Sequence, residues 1–187
     1  MPGADPYTLP NDLPAPEDDG AADHLPGRSL PSLRLRATTR NEVDLGELGT
    51  EGTTVLFIYP RTGRPGEELP TGWDLIPGAR GCTPQSCAFR DLHGEFAERG
   101  VEVVGMSAQS PEDQAEFAER VHLPFPVLSD VSLELAAALD LPTFSVDGMT
   151  LYARITLVIR DGEIVKAFYP VFPPDRNAAD VLAWLAA

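Results

Sequence analysis

Apolar residues along the chain fall into runs that predict β-strands. Residues 53–59 (TTVLFIY) form a continuous apolar and β-branched run, which is typical of a strand buried on both faces. Residues 101–107 predict a second strand, and residues 125–128 predict a shorter third one. Near the C-terminus, Asp161-Gly162 is a strong two-residue turn signal between two apolar runs, so we expect a β-hairpin there. Its strands are expected at residues 155–160 and 164–168.

Helical patterns separate these strands. The stripe of Phe89, Leu92 and Phe96 predicts an amphipathic helix, which Thr83 is expected to cap, with Pro84 at the first helical position. Further helices are expected over residues 111–121, after the N-cap Ser110, and over residues 132–139 and 178–185.

The order of these elements predicts an α/β fold. A strand–helix–strand–helix–strand series, followed by a hairpin and a terminal helix, is the order of a thioredoxin-like fold with a central mixed β-sheet flanked by helices. Alternating residues at 33–37 and 41–45 add an N-terminal β-hairpin. With 187 residues, the chain is long enough for one domain with a substantial core and too short for two.

Two segments lack such patterns. Residues 1–27 are rich in Pro and Asp and poor in aliphatic residues. We therefore predict a disordered or loosely docked acidic, Pro-rich extension there, followed by a thioredoxin-like domain over residues 28–187. Residues 61–81 contain three prolines and five glycines and predict a long loop, and loops of this length in a compact domain are usually functional.

The charge balance argues against nucleic acid as a partner. The chain carries 14 basic and 29 acidic residues, a formal net charge of −15, which repels phosphate backbones. No apolar run approaches about 18 residues, so we expect no membrane-spanning segment. The N-terminus has neither the basic start nor the apolar stretch of a secretory signal, so we expect a cytoplasmic protein.

The only two cysteines, Cys82 and Cys87, lie five positions apart. A disulfide that closes so short a loop stabilises a fold little, and the three histidines do not have the spacing of zinc ligands. Redox chemistry is therefore the sharper interpretation. The weaker interpretation is that both cysteines are inert buried thiols. Chance would then have to place both of them at the start of a helix that follows a buried strand.

Cys82 is expected just before a helix N-terminus, where free backbone N–H groups and the helix dipole favour a thiolate. The helix terminus contributes at most about 2 kcal/mol, whereas a thiol that is mostly ionised at neutral pH needs about 3.4 kcal/mol. A cation must therefore lie nearby. Five residues apart on an ideal helix, two Cα atoms are about 8.6 Å apart, and a disulfide tolerates about 7 Å. The helix must therefore unwind before the two cysteines can bond.

The cysteine segment resembles that of the peroxiredoxins, most closely their Q-type branch, also called bacterioferritin comigratory proteins. The resemblance is carried by GCTPQSCAFRD at residues 81–91 and by the strand VLFIYP at residues 55–60. Residues 123–130 and 154–159 look like two later strands of that family, the second beginning with its invariant arginine, here Arg154. The resemblance covers roughly residues 25–187.

This resemblance implies a thiol-dependent peroxidase that needs no metal or organic cofactor. Cys82 would attack hydrogen peroxide or an organic hydroperoxide and become a sulfenic acid, and Cys87 would condense with it to an intramolecular disulfide. Thioredoxin or a similar dithiol protein would reduce that disulfide. Arg154 would stabilise the thiolate and orient the peroxide. An intramolecular disulfide needs no second subunit, so the expected state is a monomer or weak dimer.

The chain departs from the family pattern Pro-x-x-x-Thr-x-x-Cys. Ala79 stands where the threonine is expected, and Pro60 lies 22 residues before Cys82 rather than seven, which implies an insertion of about 15 residues. The missing hydroxyl is expected from one of three residues, Thr62, Thr71 or Thr83. Three large apolar residues of the insertion either roof the site or pack together as an ordinary surface loop: Trp73, Leu75 and Ile76.

Two other functions fit the same residues. One is a thioredoxin-fold thiol-disulfide oxidoreductase without peroxidase activity. The spacing of the two cysteines argues against it, because those enzymes place their cysteines three positions apart rather than five. A non-catalytic binding module on the same fold would have unreactive thiols, with the acidic extension recruiting a partner.

Overall fold

The computed structural model describes residues 5–39 and 41–187. Its strands are β1 (Arg34–Ala37), β2 (Glu42–Asp44), β3 (Thr53–Ile58), β4 (Val101–Ser107), β5 (Val127–Ser129), β6 (Thr143–Val146), β7 (Met149–Tyr152), β8 (Ile155–Arg160) and β9 (Glu163–Phe168). Its helices are α1 (Cys82–Asp91), α2 (His93–Glu98), α3 (Pro111–Arg120), α4 (Glu134–Leu139) and α5 (Asn177–Ala186). No helix in these two ranges is long and apolar enough to cross a membrane.

Seven strands of the described residues form one mixed sheet in the order β2-β1-β5-β4-β3-β8-β9. β3 pairs parallel with β4 and antiparallel with β8. Its residues alternate between two apolar clusters, with Val55 and Phe57 on one side and Leu56 and Ile58 on the other, all fully buried. α4 packs on the second cluster, and α1, α3 and α5 pack on the first. The prediction of a thioredoxin-like mixed sheet flanked by helices is confirmed, and the N-terminal strands β1 and β2 pair as expected.

The helix that carries both cysteines begins earlier than the sequence indicates. Gly81, not Thr83, is its N-cap residue, so Cys82 is the first residue of α1. Gly81 has a φ of +107°, and a Cβ atom there would lie 2.3 Å from Pro174 Cγ. Glycine fits this position because it has no Cβ and adopts positive φ without strain. The single helix expected here is divided into α1 and α2.

A hairpin that the sequence patterns above do not include stands outside the main sheet. Strands β6 and β7 pair antiparallel around Asp147-Gly148, where both residues have positive φ. This dipeptide is the same turn signal that predicts the C-terminal hairpin, so the information is present in the sequence. Val146 and Leu151 of this hairpin pack against Trp73 and thereby fix the long loop of residues 61–81 beside the start of α1.

The N-terminal extension lies against the domain over its described part. Leu25 is fully buried in one of the main apolar clusters. The Gly27 N–H donates to the Ile164 carbonyl oxygen at 2.7 Å. Burial and a hydrogen bond to Asp19 raise the pKa of Tyr169 to about 12. The division of the chain into an extension and a domain at residue 27 stays a prediction.

Candidate active site

Cys82 lies where a buried strand is connected to a helix. The loop of residues 61–81 leads from β3 to α1, whose first residue is Cys82. The N–H groups of a first helical turn have no partner within the helix, and the helix dipole is positive there, so an anion is favoured. Cys82 is only 3% exposed and belongs to the apolar cluster that includes Tyr59 and Phe89. A thiolate at this position needs a cation beside it, because burial alone disfavours charge.

Arg154 lies at the position where that cation is required. Antiparallel pairing puts Ile155 of β8 opposite Ile58 of β3, so the residue that precedes β8 lies beside the point where β3 ends. From there the Arg154 Nη2 group donates to Cys82 Sγ at 3.3 Å. The Arg154 side chain is 3% exposed. The structure thus brings two of the three predicted site residues together, while their roles stay predictions.

Arg154 has no carboxylate partner among the residues that the structure describes. Its Nη2 group donates instead to the carbonyl oxygens of residues 78–80, at 3.2, 3.0 and 3.2 Å. A buried charge without a counter-charge is costly, so a Cys82 thiolate would be its natural partner. Three other arginines of the described residues each form an ion pair with an aspartate: Arg64, Arg80 and Arg90.

A chain of buried side chains fixes the Arg154 guanidinium. Its Nη1 group donates to Gln85 Oε1, and Gln85 Nε2 donates to Asn177 Oδ1 at 2.9 Å. Thr156 Oγ1 donates to the same Asn177 oxygen at 2.7 Å. Neither amide is among the predicted site residues. Gln85 follows Cys82 by three positions, and this spacing places both residues on one face of the helix. The spacing could therefore have indicated Gln85 as a site residue from the sequence. Nothing in the sequence points to Asn177.

Cys87 lies on the same helix, five positions after Cys82, and is partly buried. Burial raises the pKa of the Cys87 thiol, and the Arg90 guanidinium opposes that shift. Both cysteines are free, and α1 is continuous through both of them. The intact helix therefore keeps the two predicted partners apart, because Cα atoms five positions apart on a helix are about 8.6 Å apart. A disulfide tolerates a Cα–Cα distance of about 7 Å.

No hydroxyl group in the described ranges is hydrogen-bonded to Cys82 Sγ. The thiol donates to the Ala79 carbonyl oxygen at 3.7 Å. Thr62 is buried with its hydroxyl bonded elsewhere, and Thr71 is exposed. Thr83 follows Cys82 directly, and both residues line one small cavity. Of the three candidates, Thr83 is therefore the one beside the thiol.

A cavity of about 10 Å³ lies over Cys82. Trp73 forms part of its wall and is 3% exposed, so the first of the two alternatives, a roof over the site, fits this residue. Leu75 is 80% exposed and does not fit it, and Ile76 packs in the cluster around Trp73. The remaining wall comes from the long loop and from the N-terminal extension. A second cavity, of about 670 Å³, lies near β2, and neither cysteine lines it.

Sequence comparisons agree on one family. A profile of the redoxin family matches residues 25–182. The chain is 30% identical over 156 residues to Peroxiredoxin Bcp from Bacillus subtilis, a match that covers 81% of this chain and 89% of the relative. It is 31% identical over 160 residues to the chloroplastic Peroxiredoxin Q of Sedum lineare, which covers 85% of this chain and 76% of the relative.

Solved structures of similar proteins share the fold. The crystal structure of peroxidoxin BcpB from Mycobacterium tuberculosis has a TM-score of 0.68 at 30% identity, over 87% of this chain and 96% of that one. A cysteine-to-serine variant of PrxQ from Xylella fastidiosa has a TM-score of 0.69 at 23% identity, over the same shares of the two chains. At the lower identity the similarity concerns the fold alone.

Proposed function

This chain belongs to the redoxin family and, within it, to the peroxiredoxins of the Bcp and Q type, and from that premise we propose that Cys82 is its peroxidatic cysteine, Cys87 its resolving cysteine and Arg154 the cation that activates Cys82. Peroxiredoxins are thiol peroxidases, so the enzyme reduces peroxides through a cysteine. Two other functions fit the sequence: a thiol-disulfide oxidoreductase without peroxidase activity and a non-catalytic binding module. Neither is the function of this family.

The contact between Arg154 and Cys82 carries this assignment. The buried guanidinium donates to Cys82 Sγ at 3.3 Å and has no carboxylate partner in the described ranges. Loss of the Cys82 proton creates the counter-charge that this cation lacks, so the pair stabilises the thiolate. The planar fork of guanidinium donors can also bind the oxygen atoms of a peroxide and hold them in line with the sulfur.

In the first step, the Cys82 thiolate attacks one oxygen of the hydroperoxide. A sulfur–oxygen bond forms, the oxygen–oxygen bond breaks, and the leaving alkoxide or hydroxide takes up a proton to become an alcohol or water. The sulfur is oxidised by two electrons to a sulfenic acid, and the peroxide is reduced. The Arg154 donors stabilise the negative charge that develops on the leaving oxygen.

In the second step, Cys87 attacks the Cys82 sulfenic acid. A sulfur–sulfur bond forms, the sulfur–oxygen bond breaks, and the hydroxide leaves as water after protonation. α1 must unwind first, because positions five apart on a helix have Cα atoms about 8.6 Å apart. Unwinding also exposes Cys87 and so removes the burial that raises its pKa. Formation of the disulfide is thereby coupled to a change in the helix.

A dithiol protein such as thioredoxin completes the cycle. Its two thiols become a disulfide while Cys82 and Cys87 return to thiols. Such a cycle requires a reducing compartment, so we place the enzyme in the cytoplasm. The disulfide lies within one chain, which fits a monomer or weak dimer. A net charge of −15 disfavours nucleic acid and anionic membrane surfaces as partners.

Cysteine variants test the two roles. Cys82→Ser should consume no peroxide, because a serine hydroxyl is not ionised near neutral pH and is a poor nucleophile. Cys87→Ser should react once in stopped-flow mixing and leave a sulfenic acid on Cys82, which dimedone traps and mass spectrometry locates. If Cys87 instead carried the trapped acid and Cys82→Ser still reacted, the two roles would be reversed.

A further inference from the structure

The described part of the N-terminal extension begins on top of the active-site cavity. Pro6 is buried and lines this cavity together with Trp73 of the long loop. Leu9 packs on the cap of α1, because a Cβ atom at Gly81 would lie 2.8 Å from Leu9 Cδ2. Residues 5–9 therefore cover both the cavity and the first turn of the helix, and we call them the lid.

Two arginines hold the lid in place. Arg80 is 6% exposed, and its Nη2 group donates to the carbonyl oxygens of Asp5 and Thr8 at 2.8 and 3.5 Å. At the end of α3, Arg120 donates to the Tyr7 hydroxyl at 2.7 Å, and its guanidinium carbon lies 5.8 Å from the centroid of the Tyr7 ring. Tyr7 is 45% exposed, so this second contact lies at the surface. The lid is thus attached at one buried point and at one exposed point.

The closed lid leaves little room above Cys82. The cavity of about 10 Å³ is at the lower limit for a single water molecule, which needs about 10–15 Å³. A hydroperoxide has two oxygen atoms, and an organic hydroperoxide carries an alkyl group as well. Hydrogen peroxide therefore needs a small enlargement of this cavity, whereas an alkyl group needs one of the walls to leave.

Of the lid and Trp73, the lid moves at the lower cost. Trp73 is anchored in an apolar cluster with Val146 and Leu151, and its ring centroid lies 6.1 Å from that of Phe144. The lid has no helix or strand and has a half-exposed outer contact. Such segments open with small free energies. Displacing Trp73 would instead disrupt a buried cluster.

We propose that the lid is a size filter on the active site: hydrogen peroxide reaches Cys82 through small displacements of the closed lid, whereas a bulky organic hydroperoxide reacts only after the lid swings away. This inference rests on the proposed role of Cys82 as the attacking thiol. The rate with a bulky hydroperoxide then scales with the fraction of molecules whose lid is open, so the enzyme prefers hydrogen peroxide. Pro6, Tyr7 and Leu9 are accordingly specificity-determining residues.

Tyr7→Ala tests the filter, because it removes the exposed contact and Tyr7 does not line the cavity. Stopped-flow rates of Cys82 oxidation are measured in the full-length chain with hydrogen peroxide and with cumene hydroperoxide. We expect the rate with cumene hydroperoxide to rise about tenfold and the rate with hydrogen peroxide by less than about threefold. Tyr7→Phe keeps the ring and loses the hydroxyl, so it should lie between wild type and Tyr7→Ala. Asp12→Asn, at an exposed position of the same extension, is the control and should change neither rate.

Alkylation gives a second readout that does not depend on peroxide chemistry. N-ethylmaleimide should modify Cys82 about tenfold faster in Tyr7→Ala than in wild type, and Asp12→Asn should leave that rate unchanged. Leu9→Ala should produce the same two effects from the other end of the lid.

Two results would overturn the filter. One is an equal change, or no change, in the rates with both hydroperoxides. The other is an unchanged alkylation rate of Cys82 in a folded Tyr7→Ala chain. A wild-type chain that reduces neither hydroperoxide would refute the proposed function instead, and the alkylation rates would still decide whether the lid covers Cys82.

Discussion

At the scale of single residues, the site depends on a charge that its neighbours leave uncompensated. Arg154 is surrounded by neutral oxygens, those of residues 78–80 and of Gln85, and its Nε group has no hydrogen-bond partner among the residues described. A buried guanidinium in such a setting interacts strongly with any nearby anion, because the low local dielectric screens little. Cys82, whose Sγ atom lies 3.3 Å from Arg154 Nη2, is a neighbouring group that can become such an anion.

Substitutions of Arg154 test this arrangement. Arg154→Ala should slow peroxide reduction by about tenfold to a thousandfold, because charge and orientation are lost together. Arg154→Lys keeps the charge but lacks the planar fork of donors, so it should restore the alkylation of Cys82 at neutral pH more fully than the peroxide rate. Stopped-flow kinetics and iodoacetamide labelling measure the two effects, and circular dichroism confirms folding. A folded Arg154→Ala chain with the parent's rates would assign the role to another arginine.

The raised pKa of Cys87 gives a pH dependence with a definite sign. Burial favours the neutral thiol, so the Cys87 thiolate should form only at a higher pH in the folded chain than in the unfolded chain. A Cys82→Ser variant isolates Cys87, and its alkylation rate is followed against pH in buffer and in urea. The midpoint in buffer should lie above the midpoint in urea. A midpoint in buffer at or below the urea value would show that burial does not control this thiol.

At the scale of elements, the start of α1 is where three segments meet. Gly81 caps the helix, and Pro174 and Leu9 both lie against it. The sequence favours Thr83 as the cap, because a threonine before a proline is a common helix start. The contacts with Pro174 and Leu9 outweigh this local preference, and no local pattern reveals them, because both residues are distant along the chain.

Gly81→Ala tests the cap. Alanine is strained at this positive φ and its Cβ would overlap Pro174, so the free energy of unfolding should fall by about 1–3 kcal/mol. Gly94→Ala in α2 is the matched control, because a Cβ there meets open space and alanine favours a helix by about 1 kcal/mol over glycine. Urea unfolding followed by circular dichroism measures both changes. Equal stabilities of Gly81→Ala and the parent would contradict the crowded cap.

At the scale of the whole molecule, the sheet and its flanking helices were predictable, and the contacts of the N-terminal extension were not. β4 and β8 match their predicted bounds, because an apolar run bounded by polar residues is a local signal. The hairpin β6–β7 also had a local signal, Asp147-Gly148. The contacts of the extension had none, since Pro6 and Leu25 are isolated in a polar segment and each packs against residues far along the chain. Arg154 could be predicted only through the family resemblance, since a single arginine before a strand has no distinctive pattern.

Oxidation of the whole chain should form a disulfide within one molecule. One equivalent of peroxide should give a monomer about 2 Da lighter than the reduced chain, with Cys82 and Cys87 joined in one peptide. Intact mass spectrometry and peptide mapping measure this product, and Cys87→Ser is the control that cannot form it. Non-reducing electrophoresis that showed mainly covalent dimers would contradict the intramolecular bond.

The position of Trp73 also gives the chain an optical signal. The chain has two tryptophans, and they lie in different surroundings. Trp73 lines the cavity over Cys82, whereas Trp184 packs edge-on against Phe168, with ring centroids 6.3 Å apart. In a Trp184→Phe variant, the fluorescence of the remaining indole would follow the oxidation of the sulfur beneath it and the unwinding of α1. The enzyme's encounter with peroxide could then be timed from its own emission, without an attached dye.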